Sequence, residues 1–354
     1  MSQTLFQNSY GDNPQLQRFT PGRVNLIGEH TDYNGGFVMP TALEIGLDIS
    51  LSIRPDDKIN IVSEGFQGLS ERRLGQNKAD HWSDYALGSL IYANAKGLWS
   101  GGANIAVTST LPQGAGLSSS AAITVGILKL CQEQNCKEMT EIDIAKLARR
   151  IENEYIGVPC GIMDQMAVAI ASPGEAIKLD TSTLDYSIIP LPKTHHMVII
   201  HSGHYRQLSE GRYKERKEEC DIIKKTLGRD DICLIDEADF QKLSELPKHI
   251  QSRAKHCMTE HRRTEQAATV LTDNDIITFG RLMVESHRSM RDDFDITLPA
   301  IDALVDDAVG LGALGARMTG GGFGGCIVAC VPVENVNGWT DALLKKHPRA
   351  FHVA

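Results

Sequence analysis

From Leu43 to Ile53 the odd positions Leu43, Ile45, Leu47, Ile49, Leu51 and Ile53 are all apolar, and the residues between them are polar or small. Side chains alternate faces along an extended chain, so this period of two predicts a long β-strand with one face buried. Shorter strands are expected at residues 59–63, 103–109, 176–180, 197–201 and 326–331. Over residues 118–134 the period changes. Two adjacent stripes, one of Ala121, Val125 and Leu128 and one of Ile123, Ile127 and Leu130, predict a helix enclosed between layers. A second helix opens at Thr140 with Asp143 in a capping-box-like position. Its stripe is Ile144, Leu147, Ala148, Ile151 and Tyr155, and Gly157 with Pro159 stops it. A third, over residues 209–227, turns Tyr213, Cys220, Ile223 and Leu227 inward and gives its Lys, Arg and Glu residues to solvent. Strands and helices alternate irregularly, which points to an α+β chain rather than a doubly wound sheet.

At 354 residues the chain predicts about two domains. Pro190 and Pro192 place the boundary within residues 181–193, giving an amino-terminal domain over 1–185 and a carboxy-terminal one over 186–354. Acids outnumber bases 45 to 36, a formal charge of −9, so no basic tail or polybasic patch is present for nucleic acid or a membrane surface. An anionic ligand must be met by a local arrangement of donors. No apolar run reaches the roughly 18 residues of a membrane span, and MSQTLFQNSYGDN has no signal-peptide pattern. The eight cysteines form no C-x-x-C pair and read as reduced thiols of a cytoplasmic protein. The expectation is a cytoplasmic, monomeric enzyme with small-molecule ligands and no nucleic-acid or membrane partner.

Four segments carry the chemistry. PGRVNLIGEHTDYNGG (residues 21–36) packs Arg23, Asn25, Glu29, His30, Asp32 and Asn34 into a glycine-rich stretch too irregular for one element. Carboxylates beside an imidazole and an amide suit a polyhydroxylated ligand, since each hydroxyl donates to one group and accepts from another. A polar surface turn is the plainer alternative. A metal site on Glu29, His30 and Asp32 is disfavoured by their spacing. LPQGAGLSSSAA (residues 111–122) follows a strand and enters a helix, where glycines admit a phosphate to the free amides of the first turn. It is no Walker A loop, for no Gly-Lys-Ser/Thr occurs, and Ser119 replaces the third glycine of a dinucleotide fingerprint. A helix cap on an ordinary turn is the alternative.

GVPCGIMDQ (residues 157–165) sets Asp164 among apolar neighbours, either as a helix cap or as a working carboxylate. GARMTGGGFGG (residues 315–325) is too glycine-dense for turn geometry alone and predicts close backbone approach to a ligand. Glu152 and Glu154 lie about 80° on either side of the preceding helix's apolar stripe, so spacing does not choose between them. The histidines at 195, 196, 201 and 204 lack a local cysteine or carboxylate to complete a metal set.

In order and composition these segments resemble one family. PGRVNLIGEHTDYNGG closely resembles the galactokinase signature, and LPQGAGLSSSAA the phosphate loop of the wider GHMP small-molecule kinases. The other two match that family's remaining motifs, so the resemblance runs from about Arg18 to Val331. It implies ATP-dependent phosphorylation of the anomeric hydroxyl of α-D-galactose, the first committed step of galactose catabolism. It implies a mixed-sheet amino-terminal domain, a ferredoxin-like carboxy-terminal domain and substrates in the cleft between them. At matching positions, Arg23 and Asp164 are expected to flank the anomeric oxygen. Glu29, His30, Thr31, Asp32, the Gly161 backbone and Tyr213 are expected to hold the sugar. The resemblance also implies a triphosphate wrapped by Gly114, Ala115, Gly116, Leu117, Ser118, Ser119 and Ser120, with Ser63 on the nucleotide. Mg²⁺ is expected on Ser120 and Glu152. The chain stops at PRAFHVA, where the family continues into a glycine-containing tail, so either it is trimmed or its carboxy-terminal packing is reduced. Two other readings compete: a kinase for N-acetylgalactosamine, arabinose or galacturonate, and a non-catalytic galactose- and ATP-binding regulator.

Overall fold

The computed structural model describes residues 1–205 and 210–354. The chain opens with α1 (Ser2–Tyr10), β1 (Leu16–Asn25), β2 (Phe37–Val38), β3 (Pro40–Arg54), β4 (Lys58–Ser63) and β5 (Phe66–Arg73). Then come α2 (Asp84–Ala95), β6 (Gly102–Ser109), α3 (Ser119–Asn135), α4 (Glu141–Arg150), α5 (Met163–Ile170), β7 (Glu175–Asp180), β8 (Tyr186–Pro190) and β9 (His195–His201). The rest is α6 (Glu210–Leu227), α7 (Glu237–Gln241), α8 (Lys248–Thr272), α9 (Ile276–Ser289), α10 (Pro299–Gly310), β10 (Gly315–Met318), β11 (Cys326–Pro332), α11 (Val336–Lys346) and β12 (Phe351–His352).

Two compact units result. The first is Met1–Arg23, Leu43–Pro112 and Ser118–Ile170; the second is Val24–Ala42, Gln113–Leu117 and Ala171–Ala354. The proline-interrupted stretch at 181–193 lies inside the second unit and holds β8, which runs antiparallel to β7 from Glu175↔Pro190 to Leu179↔Tyr186. Pro190 ends that strand, a position that tolerates a residue without an N–H.

In the first unit β3 runs antiparallel to β6, β6 parallel to β4 and β4 antiparallel to β5, a mixed sheet. Along β3 the alternation holds only in part: Leu47, Ile49 and Leu51 are buried, whereas Ile45 and Ile53 are half-buried. Ser50, expected on the open face, is buried because Ser2 of α1 reaches it, with 2.8 Å between the two hydroxyl oxygens. Helix α1 also buries Phe6 against Val62 and Ala106. The two-stripe helix α3 contacts α2, α4 and α5. At Gly126 it comes so close to Thr20 and Ile49 of β1 and β3 that an added Cβ would lie 2.5 Å from the Thr20 hydroxyl. The expected enclosure is therefore present. Helix α4 is capped as predicted, with the Asp143 amide donating to Thr140 Oγ1 at 3.1 Å. Past Arg150 it widens into a π-helix, Ile151–Ile156, closed by Gly157 at φ 84.

The second unit carries an antiparallel sheet in the order β10-β11-β9-β12. Counted from β9, that is strand, helices, strand, strand, helix, strand with spatial order 2-3-1-4, the split-βαβ arrangement expected for this part. Its apolar core joins Val198 and Ile200 of β9 to Ile223, Ala254, Met290, Phe294, Leu304 and Leu343 of the helices. Helix α6 begins at Glu210, and Ser209 of the expected helix lies outside the described residues. Its charged face is not all solvated. Arg216 and Glu219 are buried, and Glu219 Oε2 receives Arg253 Nε at 2.8 Å. The carboxy terminus is packed: Phe351 and His352 pair with β9, Val353 N–H donates to the Ile199 carbonyl at 2.9 Å, and Ile199 N–H donates to the Ala354 carbonyl at 2.7 Å. All eight cysteines are free thiols, and among the described residues no helix is long and apolar enough to cross a membrane.

Candidate active site

In the first unit β1 carries Arg23, which is 5% exposed, and the first turn of α5 carries Asp164, whose side chain is 30% exposed. The two meet as a parallel fork: Arg23 Nε donates to Asp164 Oδ1 at 2.8 Å and Nη2 to Oδ2 at 2.7 Å. Such bidentate, charge-assisted pairing fixes the carboxylate plane as well as its position. Ser118, at the N-cap of α3 in a left-handed conformation, adds a third donor, its hydroxyl reaching Oδ2 at 2.6 Å. A carboxylate offers about four acceptor positions. The fork and the serine together place three donors on the Asp164 carboxylate.

The choice between Glu152 and Glu154 is made by the π-helix. Glu152 is 5% exposed, whereas Glu154 is exposed and paired with Arg150 and the Tyr92 hydroxyl. Burial pushes the Glu152 carboxyl up to about 7, and the nearby Asp164 charge adds to this, against hydrogen bonds from Gln165 and Ser120. The Gln165 amide donates to Glu152 Oε1 at 2.8 Å. A buried carboxylate and a hydroxyl, with too few neighbouring positive charges, form an all-oxygen set that suits a hard cation such as Mg²⁺. Among the described residues no cluster of three or more His, Cys, Asp or Glu side chains could hold a metal by itself. Ser119 is exposed, and Ser63 is half-buried at an irregularity where β4 meets β5. Gly161 is buried just ahead of α5.

In the second unit the signature residues are gathered differently. Glu29, 1% exposed, accepts from the Gly320 amide at 2.7 Å and lies 3.4 Å from Arg317 Nη1, both through Oε1. His30, at φ 60, has its Nδ1 2.6 Å from the Tyr33 hydroxyl, and its ring meets those of Tyr213 and Phe294. Burial raises the Tyr33 phenol, with smaller contributions from Cys220, Tyr213, Cys257 and Asp32, so the phenol keeps its proton and donates. The imidazole proton is thereby assigned to Nε2. Thr31, expected among the sugar-holding residues, is fully buried, its hydroxyl 2.9 Å from the Gly28 carbonyl and 2.7 Å from that of Phe37. Its side chain closes the loop instead of facing a ligand. Asp32 is half-buried.

The Gly114–Leu117 run belongs to this unit, with Gly114 and Gly116 at φ 69 and 73 and the Ala115 carbonyl 3.5 Å from Cys326 Sγ. In the glycine-dense 315–325 segment, the predicted close approach is to the protein's own chain. A Cβ on Gly322 would lie 2.7 Å from the Ile296 carbonyl oxygen, and one on Gly324 2.7 Å from that of His204. Sequence reasoning missed Gln165, Tyr33 and Arg317. For Arg317 a signal existed, a lone cation in a strand that is otherwise buried and apolar.

Known proteins agree with this architecture. Family profiles described as the GHMP kinases N terminal domain and the GHMP kinases C terminal match residues 84–172 and 267–336. A mevalonate kinase crystal structure superimposes with a TM-score of 0.70 at 20% identity over 96% of this chain and 98% of its own, a likeness of fold. The class is that of the GHMP kinases. Within it, the galactokinase galactose-binding signature matches residues 4–53. Galactokinase from Glaesserella parasuis is 40% identical over 350 residues, 95% of this chain and 90% of the relative. That of Enterococcus faecalis is 37% identical over 353 residues, covering 96% and 91%. The crystal structure of Lactococcus lactis galactokinase complexed with galactose gives a TM-score of 0.92 at 30% identity, covering 99% and 96%. The chain belongs to the galactokinase family.

Proposed function

We propose that the chain transfers the terminal phosphoryl group of ATP to the anomeric hydroxyl of α-D-galactose, giving α-D-galactose 1-phosphate and ADP. The observation that carries this reading is the Arg23–Asp164 fork, in which a carboxylate that is still 30% exposed is held beside a guanidinium already locked in place. A sugar hydroxyl that donates there is oriented for attack, and its proton passes to Asp164 late, as a loose transition state permits. Arg23 offsets charge developing on the transferring group. The run from Gly114 to Ser120 presents backbone amides and hydroxyls to the triphosphate as it enters α3. Ser63 contacts the nucleotide. Ser120 and Glu152 would hold Mg²⁺, which when bound supplies positive charge to the phosphate oxygens. Glu29 through Oε2, His30 through Nε2, Asp32, Tyr213 and the Gly161 backbone bind the remaining hydroxyls. The protein acts in the cytoplasm as a monomer.

The test is a coupled ADP-release assay over galactose, N-acetylgalactosamine, arabinose and galacturonate. Galactose is expected to give the highest kcat/KM. Saturable galactose binding without ADP release from any sugar would favour a non-catalytic regulator.

A further inference from the structure

Helix α8 presents His256, Glu260 and Thr264 at intervals of four, hence on one face, and all three are fully buried. Each meets the signature loop. His256 Nε2 lies 3.1 Å from the Glu29 carbonyl oxygen, and the Gly28 amide donates to Glu260 Oε1 at 3.0 Å. Gly28 sits at φ +94, where a Cβ would fall 2.6 Å from the Phe37 carbonyl and 3.0 Å from Thr264 Oγ1. Glu260 is itself held by the Ser286 hydroxyl at 2.5 Å and by Arg263 Nε at 2.9 Å. Arg317, fully buried, stands between two carboxylates: Nη1 is 3.4 Å from Glu29 Oε1 and Nη2 is 3.8 Å from Glu260 Oε1.

We infer that Glu260 is a positioning residue for Glu29, setting the orientation of the carboxylate that grips a sugar hydroxyl. The inference rests on the role of Glu29 proposed above. Neither contact of Arg317 has closed to the 2.7–2.9 Å of a tight charge-assisted bond, as expected for a cation drawn from two sides. Without the Glu260 charge, Arg317 closes on Glu29 alone and turns its carboxylate away from the ligand. The backbone of Glu29 stays tied to His256, so the error falls on the side chain. The seam therefore tunes one hydroxyl contact rather than the stability of the unit alone.

Glu260→Gln in the full chain tests this, because it keeps an acceptor for the Gly28 amide and removes the charge. We expect galactose KM to rise about tenfold, with ATP KM and kcat within about threefold of wild type. A panel of singly deoxygenated galactoses supplies the reading that general loosening does not move. The one deoxy sugar whose handicap shrinks in Glu29→Gln should shrink in Glu260→Gln too, and the double variant should be no worse than Glu29→Gln. Additive effects, or an equal loss for every sugar and for ATP, overturn the inference. Should Glu260→Gln not fold, Ser286→Ala, which frees Glu260 without altering its charge, should shrink the same handicap by about two- to threefold. An unchanged handicap in a folded Ser286→Ala is equally fatal. A wild-type protein that releases no ADP with galactose overturns the underlying function instead.

Discussion

Each unit holds an arginine–carboxylate group built from signature residues, one around Arg317 and one around Arg23, and the two are used in opposite ways. Around Arg317 the charges are closed in: Glu29 Oε1 and both oxygens of Glu260 are taken by protein donors, and Arg317 and Glu260 have no exposed surface. Around Arg23 the same residue types leave the Asp164 carboxylate 30% exposed. An enclosed ion pair fixes a shape, whereas an accessible one can be reached by a substrate. An arginine–carboxylate pair is common to both, so the pair alone does not mark the reacting group. The exposure of the carboxylate does.

The contrast can be broken most sharply at Asp164. Asp164→Ala should lower kcat on the order of 10²–10⁴-fold while the protein stays folded, since the position serves chemistry. A near-normal rate removes Asp164 from the mechanism. Arg23→Ala should cost roughly 10²–10³ in turnover with a smaller change in sugar KM, because its charge matters most in the transition state. A rise in sugar KM alone would contradict that. Ser118→Ala, which removes only the third donor on Asp164, should cost about tenfold in kcat, the weight of one hydrogen bond to a charged group.

The closed group is tested through stability instead of rate. Burial lowers the His256 imidazole to about 4, more than Glu260 raises it, so it is neutral in the folded protein. Between its ordinary value near 6.5 and about 4, the unfolded chain binds the proton and the folded one does not. Stability is therefore complete above pH 6.5 and is lost as pH falls toward 4, by about 3 kcal/mol across the full window. Melting temperatures between pH 7.5 and 5 should decline in the wild type and more shallowly in His256→Gln. Equal slopes would mean that another group dominates.

Much of the fold was legible because long amphipathic elements announce themselves. Strands β4, β6, β7, β9 and β11 and helices α3 and α6 lie within about two residues of their predicted positions, and α4 starts where expected but gives way to a π-helix after Arg150. Helix α1 gave no such sign, for its buried contacts are with residues far along the chain, Val62 and Ala106. At the site, the four motifs located Arg23, Asp164, Glu29 and His30, but composition does not reveal what a side chain is bonded to. Thr31 looks like a ligand residue and is a loop clasp. Glu29 and Arg317 meet across 288 positions, a separation no local pattern reports. The glycines of 315–325 were read correctly as a place of close approach, but the neighbouring segments are Ile296 and His204.

Glu152 and Glu154 could not be told apart because an ordinary helical period was assumed where the chain adopts i→i+5 bonding. That widened turn amounts to one surplus residue carried inside an otherwise regular rod. Trimming a single position from Ile151–Ile156 would let the rod wind evenly and would rotate Glu152 by about 100° away from Gln165. The shortened protein would gain a better helix and lose the Glu152–Gln165 bond, so this irregularity is a length that keeps the Glu152 carboxylate in place.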